Sequence, residues 1–292
     1  MFYLSTSLNY CTCPWLSPSV IINCFPFFRA SKVCGLHIHT DRGEHLCKDQ
    51  SVHWPYMQCW GSSRMANSSR TFSDVRSAVL SVHKNESAED QICFYNNWAE
   101  NYEQDVAILD FRAPRLAAEC LSNSFEGDRE KAVVLDVACG TGLASTWLQK
   151  NGFKNFVGLD GSDKMLEAAK RKGLYQELKQ CMLGAAALPV QAGTYDVVLI
   201  VGALGSGHLP VTIIRELWKV AKPGGYICLT TRGDESNKEY KNHLELTLNE
   251  MEKEGLWSRV SVMEVEDWEK AVSEQESGYI SGAVYLYRKS ET

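Results

Sequence analysis

The chain has no apolar run long enough to cross a bilayer. Its longest, Val197 to Leu204, is strand-sized, whereas a spanning helix takes about 20 residues, so membrane insertion as a helix is not expected. Basic residues are also short: 30 lysines and arginines face 36 acids, a net charge of −6. A general nucleic-acid binder needs a basic stripe to neutralise phosphates, so nucleic acid is not expected as a partner. No basic residues follow Met1, Pro14 and Pro18 interrupt the first apolar stretch, and no small-residue cleavage site closes it. A secretory leader therefore does not fit. Paired Cys-x-x-Cys knuckles and Cys₂His₂ spacing are missing too, so His37, His39, His45, Cys47, His53 and Cys59 predict no metal site. There is no internal repeat.

The composition that remains, 45% hydrophobic and 23% charged, can bury a core, but it is unevenly spread. Residues 1–64 hold six of the eleven cysteines, four of seven histidines and three of eight tryptophans. They carry a net charge of +2 against −8 for the rest, and prolines break every period. This stretch reads as an unstructured extension. Met65 opens a different regime, Met-Ala-Asn-Ser-Ser-Arg, so the working protein is expected to begin near it, with 65–86 as a linker. Cys93, Cys120, Cys139, Cys181 and Cys228 are scattered singly in apolar surroundings. They read as small buried hydrophobes of a reducing compartment, which points to the cytoplasm, with the nucleus also open.

From Ser87 onward strands and helices alternate. Ser87 and Asp90 mark a helix start, and Ile92–Leu109 and Phe111–Leu121 read as helical with a break near Pro114. Lys131–Ala138 is a β-branched apolar run and hence a buried strand. Further strands are expected at Asn155–Asp160, Gln180–Gly184, Thr194–Val201 and Tyr226–Arg232. The helices between them are Gly142–Lys150, Ser162–Lys172 and Leu209–Val220. A long amphipathic helix, Lys238–Glu254, precedes two late strands near 258–266 and 278–287. The pattern predicts an α/β, Rossmann-like, seven-stranded and mostly parallel sheet with helices on both faces. Its last two strands should form an antiparallel pair at one edge. The sheet domain spans 131–292, after a helical lid at 87–130.

The chemistry concentrates after the first strand. Asp136-Val-Ala-Cys-Gly-Thr-Gly142 follows a buried strand and opens a helix, where small residues admit a ligand to the free amides. Asp160 ends the next strand 24 residues later, where a carboxylate can accept both hydroxyls of a ribose. A nicotinamide fingerprint, G-x-G-x-x-G/A, would need glycine or alanine where Ser145 stands. Asp136 would also repel a pyrophosphate. It suits a cationic amino-acid moiety, and hence S-adenosylmethionine, better. Asp160 could instead merely cap the helix behind it. Met165 could be core, and so could Tyr95, Trp98 and Tyr102, which lie one turn apart on one helix face.

The segments LDVACGTGLA (135–144), VGLDGSDKMLEAAKRKGLYQ (157–176), DVVLIVGAL (196–204) and KPGGYICLTTR (222–232) resemble those of the class I S-adenosylmethionine-dependent methyltransferases. FYNNWAENYEQDVA (94–107) resembles the helical lid of that group. The resemblance implies that Asp136 and the turn of Ala138, Cys139, Gly140 and Gly142 hold the methionine end. It implies that Asp160, with Gly161 and Ser162 beside it, binds the ribose, and that Met165 packs on the adenine. Gly184, Ala185 and Ala186 would read the adenine edge, Val201 and Gly202 would lie beside the methyl group, and Tyr95, Trp98 and Tyr102 would close over the cofactor. Ala185 departs from the acid many relatives place there, so a side-chain contact to the adenine amine is missing.

No catalytic residue is identified. The Asp/Asn-Pro-Pro-Tyr/Phe motif of nucleic-acid amine methylation is replaced by Val201-Gly-Ala-Leu-Gly-Ser-Gly-His208, and no Pro-Cys pair occurs. His208, near the pocket mouth, is a candidate base or simply a solvated loop histidine. The expected acceptor is a small molecule, with a protein substrate possible. The alternatives are a non-catalytic S-adenosylmethionine-binding protein and a NAD-dependent oxidoreductase.

Overall fold

The computed structural model describes residues 70–82, 87–273 and 277–291, all within the unit Met57–Thr292. The extension expected over 1–64 lies outside the described residues. The first described element, α1 (Phe72–Val82), occupies part of the expected linker 65–86. Thr71 starts it, its hydroxyl accepting from the Asp74 amide while the Asp74 carboxylate accepts from the Thr71 amide, a reciprocal cap on the first turn.

The expected continuous helix 92–109 is two. Helix α2 (Ala88–Trp98) begins at Ser87, whose Oγ accepts from the Asp90 amide, and α3 (Tyr102–Ile108) follows a tight bend. Asn96, Asn97 and Asn101 weaken the helix at that point. The bend is then held by Asp105, fully buried, which accepts from Trp98 Nε1 and Arg70 Nε at 2.6 Å each. Pro114 does not break a helix. It sits in the first turn of α4 (Ala113–Ser124), where its missing N–H costs nothing, and Asp110, with φ of 53°, makes the break before it.

The strands are β1 (Val133–Val137), β2 (Asn155–Asp160), β3 (Tyr175–Gln180), β4 (Tyr195–Leu204), β5 (Ala221–Arg232), β6 (Trp257–Lys270) and β7 (Tyr279–Lys289). The intervening helices are α5 (Leu143–Lys150), α6 (Asp163–Arg171), α7 (Ile213–Val220) and α8 (Lys238–Lys253). The sheet order is β3-β2-β1-β4-β5-β7-β6. Strand β7 runs antiparallel to both β5 and β6, and the other contacts are parallel. The late pair is therefore antiparallel and at one edge, with β6 outermost.

Two differences from expectation have clear causes. The third strand is Tyr175–Gln180, not Gln180–Gly184. It pairs only with β2, at the sheet edge, and most of its side chains are not buried. An edge strand needs no apolar run, so its sequence hides it. Strand β5 starts at Ala221, before Lys222-Pro-Gly-Gly. The ladder jumps from Tyr195–Ala221 to Val197–Tyr226, and Gly224, with φ of 73°, turns the intervening residues out as a bulge.

Alternate residues of β4 feed two cores. Val198 and Ile200 pack with Ile213, Leu217, Leu244 and Leu248 of α7 and α8. Val197 and Leu199 pack with Ala117, Leu121, Ala144 and Leu148 of α4 and α5. The period-2 pleat makes both faces of this strand apolar. Among the described residues no helix is long and apolar enough to cross a membrane. Cys120, Cys139, Cys181 and Cys228 are free thiols.

Candidate functional site

Strand order reverses between β1 and β4, and the carboxyl ends of β1, β2 and β4 open there into a cleft, as in other open α/β sheets. A cavity of about 120 Å³ sits over it. The turn after β1 is bent for the purpose. Ala138 has φ of 56° and Gly140 of 53°, conformations that cost a non-glycine residue energy. A Cβ on Gly140 would meet no atom within 4 Å, and the residue lines the cavity.

Asp160 ends β2 and links two turns. Its Oδ2 accepts from the Gly140 amide and its Oδ1 from the Ser162 amide, both at 2.8 Å. Burial raises its carboxyl above the ordinary range, and those amides pull it back. Each oxygen keeps a lone pair for a further donor. Ser162 caps α6 by accepting from the Met165 amide at 3.1 Å, and donates to Asn96 Oδ1 of α2 at 2.5 Å. The helical lid is thereby tied to the turn.

The cavity is lined by Ala138, Gly140, Asp160, Gly161, Ser162 and Met165 from the first two turns. Val201 and Gly202 of β4, and Tyr95 and Tyr102 of the lid, complete the expected wall. Ala185 and Ala186 do not reach it and are exposed. Met182 and Leu183 line it instead, because β3 ends at Gln180, four residues earlier than expected. Nothing in their side chains marks them in the sequence; only the correct end of β3 could have done so.

Asp136 lies deeper, 1% exposed. Its Oδ2 accepts from Ser145 Oγ at 2.7 Å and from the Tyr175 hydroxyl at 2.8 Å. Burial pushes its carboxyl up to about 6 against those two bonds. Ser145, the residue that departs from the nicotinamide fingerprint, is thus a partner of this acid. Asp136 and Cys139 line a smaller space of about 30 Å³ beside the turn, together with Thr141. The Thr141 hydroxyl is buried with no hydrogen-bond partner among the described residues. Gly142 lines none of these spaces. With φ of 85° it starts α5, and a Cβ there would touch the Tyr175 ring at 3.0 Å. Trp98 also stays out of the first cavity and lines a second, of about 100 Å³, with Tyr95, Tyr102, Gly202 and His208 shared between the two.

His208 stands at this waist. Its Nε2 is 3.2 Å from the Tyr95 hydroxyl and its Nδ1 3.3 Å from the Ser206 carbonyl. A carbonyl only accepts, so in the neutral ring the proton sits on Nδ1 and Nε2 accepts from Tyr95. Burial pushes the Tyr95 hydroxyl up to about 12, keeping it a donor.

The molecule is thus an open α/β sheet protein with an acid-ended second strand and a bent glycine turn at its switch point. A methyltransferase-domain family matches residues 135–229. The human protein named Methyltransferase-like protein 27 is 49% identical over 184 residues, covering 63% of this chain and 75% of that protein. A Demethylmenaquinone methyltransferase of Lactococcus lactis is 33% identical over 145 residues, covering 47% of this chain and 56% of that relative. A solved SAM-dependent methyltransferase from Methanosarcina mazei is 20% identical, with a TM-score of 0.45, over 59% of this chain and 98% of that one. The chain belongs to the class I S-adenosylmethionine-dependent methyltransferases. Its cofactor is accordingly S-adenosylmethionine, which sets aside the oxidoreductase reading.

Proposed function

We propose that the chain methylates a small-molecule acceptor, with the cofactor in the cleft over β1, β2 and β4 and the acceptor entering from the lid side. Within the class, we place it beside the methyltransferase-like protein encoded in the Williams–Beuren syndrome chromosomal region. The 49% identity to a human methyltransferase-like protein supports that grouping. The observation that carries the small-acceptor reading is the second cavity. At about 100 Å³ it is of the same order as the 150 Å³ space that holds benzene, and its walls are lid and sheet residues that meet the first cavity at a waist. The relatives named as demethylmenaquinone methyltransferases carry a small-molecule substrate in their names, which agrees with it.

The residues present fit the cofactor. Asp160 would accept the ribose hydroxyls on the lone pairs its amide donors leave open. Gly161 and Ser162 would flank the ribose, and Met165, with Met182 and Leu183, would enclose the adenine. Asp136 would face the ammonium, with Ala138, Cys139, Gly140 and Gly142 shaping the turn, and the unpartnered Thr141 hydroxyl could donate to the carboxylate. Bound there, the cofactor supplies a methyl group on a positively charged sulfur, already a strong electrophile. The chain therefore needs chiefly to align the acceptor and keep water out. Val201 and Gly202 would lie beside the transfer point. Tyr95, Trp98 and Tyr102 would cover it, with His208 fixing the Tyr95 hydroxyl.

Incubation with labelled S-adenosylmethionine and a cell extract, split by mass after reaction, tests this. Label is expected in the low-mass fraction. Label confined to protein would overturn the small-acceptor reading.

A further inference from the structure

The second cavity has an uneven chemistry that points to one kind of acceptor. Its walls are aromatic: Trp98 and Tyr102 from the lid, Phe111 before α4, and Trp268 from β6. At one end stand Arg232 and Glu269. Glu269 faces inward because β6 is irregular there. Its ladder with β7 slips between Val265 and Glu269, so Trp268 and Glu269, neighbours in sequence, line the same space where a regular strand would turn one away. Gly282 on β7 makes the room. A Cβ there would lie 2.1 Å from the Trp268 ring, which is 1% exposed. The glycine, the slip and the tryptophan together hold a carboxylate in an aromatic chamber.

Arg232 pairs with Asp234, Nε to Oδ1 at 3.2 Å, and Glu269 is the one carboxylate on this cavity's wall among the described residues. The Glu269 carboxylate has no hydrogen-bond partner among the described residues. Burial and the nearby Asp234 push it up to about 7, against the pull of Arg232. Its charge is felt at the Tyr95 and Tyr102 hydroxyls near the waist and raises both. A half-buried carboxylate gains from a charged donor, and aromatic faces attract cations. A ligand that brings a positively charged N–H donor satisfies both.

We propose that the second cavity is the acceptor site and that it selects a small amine of about single-ring size, its ammonium held by Glu269 among the faces of Trp98, Tyr102 and Phe111. The proposal rests on the cofactor lying in the first cavity. Neutral ring acceptors of the same size would leave Glu269 without a partner and bind less well.

Benzylamine and benzyl alcohol, nearly equal in shape, are the probes. Each is titrated into the protein saturated with S-adenosylhomocysteine, with tryptophan fluorescence as the readout, since Trp98 and Trp268 line the site. Benzylamine is expected to bind at least tenfold tighter than the alcohol, and Glu269→Gln to abolish that preference while leaving the S-adenosylhomocysteine dissociation constant unchanged. Equal binding of the two probes, preference for the alcohol, or no binding of benzylamine at millimolar concentration would overturn the proposal. So would a preference that survives in Glu269→Gln. Failure of the cofactor reading shows separately, as failure of S-adenosylhomocysteine itself to bind.

Discussion

Asp136 and Asp160 are both acids at strand ends, yet their surroundings give them different work. Asp160 has one amide on each oxygen and faces the cleft. Asp136 has two hydroxyl donors on one oxygen and lies nearly out of water. Replacing Asp160 by alanine should weaken S-adenosylhomocysteine binding by about 1.5–3 kcal/mol, the scale of hydrogen bonds to a charged group, read by calorimetry. An unchanged dissociation constant would remove the ribose role. The buried acids also make stability depend on pH. Asp136 titrates near 6 and Glu269 near 7 in the folded chain, above the 3.8 and 4.5 of free side chains. Between those values the folded state holds protons that the unfolded state has released, so stability must fall as pH rises from about 4 to about 7. The ligand-free protein should show a higher urea midpoint at pH 5 than at pH 7.5, and Asp136→Asn with Glu269→Gln should flatten the difference. A midpoint that climbs over this interval would contradict the upward shift of both groups.

At the level of elements, the lid is held by few but specific contacts. Asp105 joins α1 to the α2–α3 bend through Arg70 and Trp98, and Asn96 ties α2 to the α6 cap. Helix α2 itself buries no residue, so it depends on these bonds and on the aromatic cluster of Phe94, Tyr95, Trp98 and Tyr102. Asp105→Ala should therefore speed amide exchange across 88–108 by an amount corresponding to about 2 kcal/mol and leave β1, β4 and β5 protected. Equal loosening of lid and sheet would mean that Asp105 supports the whole fold and not the lid. The same elements show what a sequence conceals. The bend at 99–101 is set by a side chain four residues downstream and by Arg70 in a stretch that reads as linker, and neither has a local signal. Strand β3 was hidden by its edge position. Strands β1, β2 and β4 were legible because each must be apolar to sit inside the sheet.

For the whole molecule, the switch point between β1 and β4 couples ligand to stability, because a nucleoside there touches β1, β2, β4 and the lid together. S-adenosylhomocysteine at about 100 times its dissociation constant should add about 2.7 kcal/mol and raise the melting temperature by about 5–10 °C for a chain of this size. NAD should leave it unchanged, and a matching rise with NAD would contradict the assignment of the cleft. The order of strands and helices, the glycine turn and the acid 24 residues on were all written locally, in hydrophobic period and in residues that turns require. They sufficed to identify the α/β class and pointed to the cofactor. The placement of Met182 and Leu183, the partners of Asp136 and the meeting of Trp98, Arg232 and Glu269 around one cavity were not. Those residues lie far apart along the chain, on elements brought together by strand order, a bulge in β6 and a glycine beneath a tryptophan. The cofactor site follows one continuous strand–turn–helix. The acceptor side is assembled from both ends of the described chain, so only the folded molecule determines it.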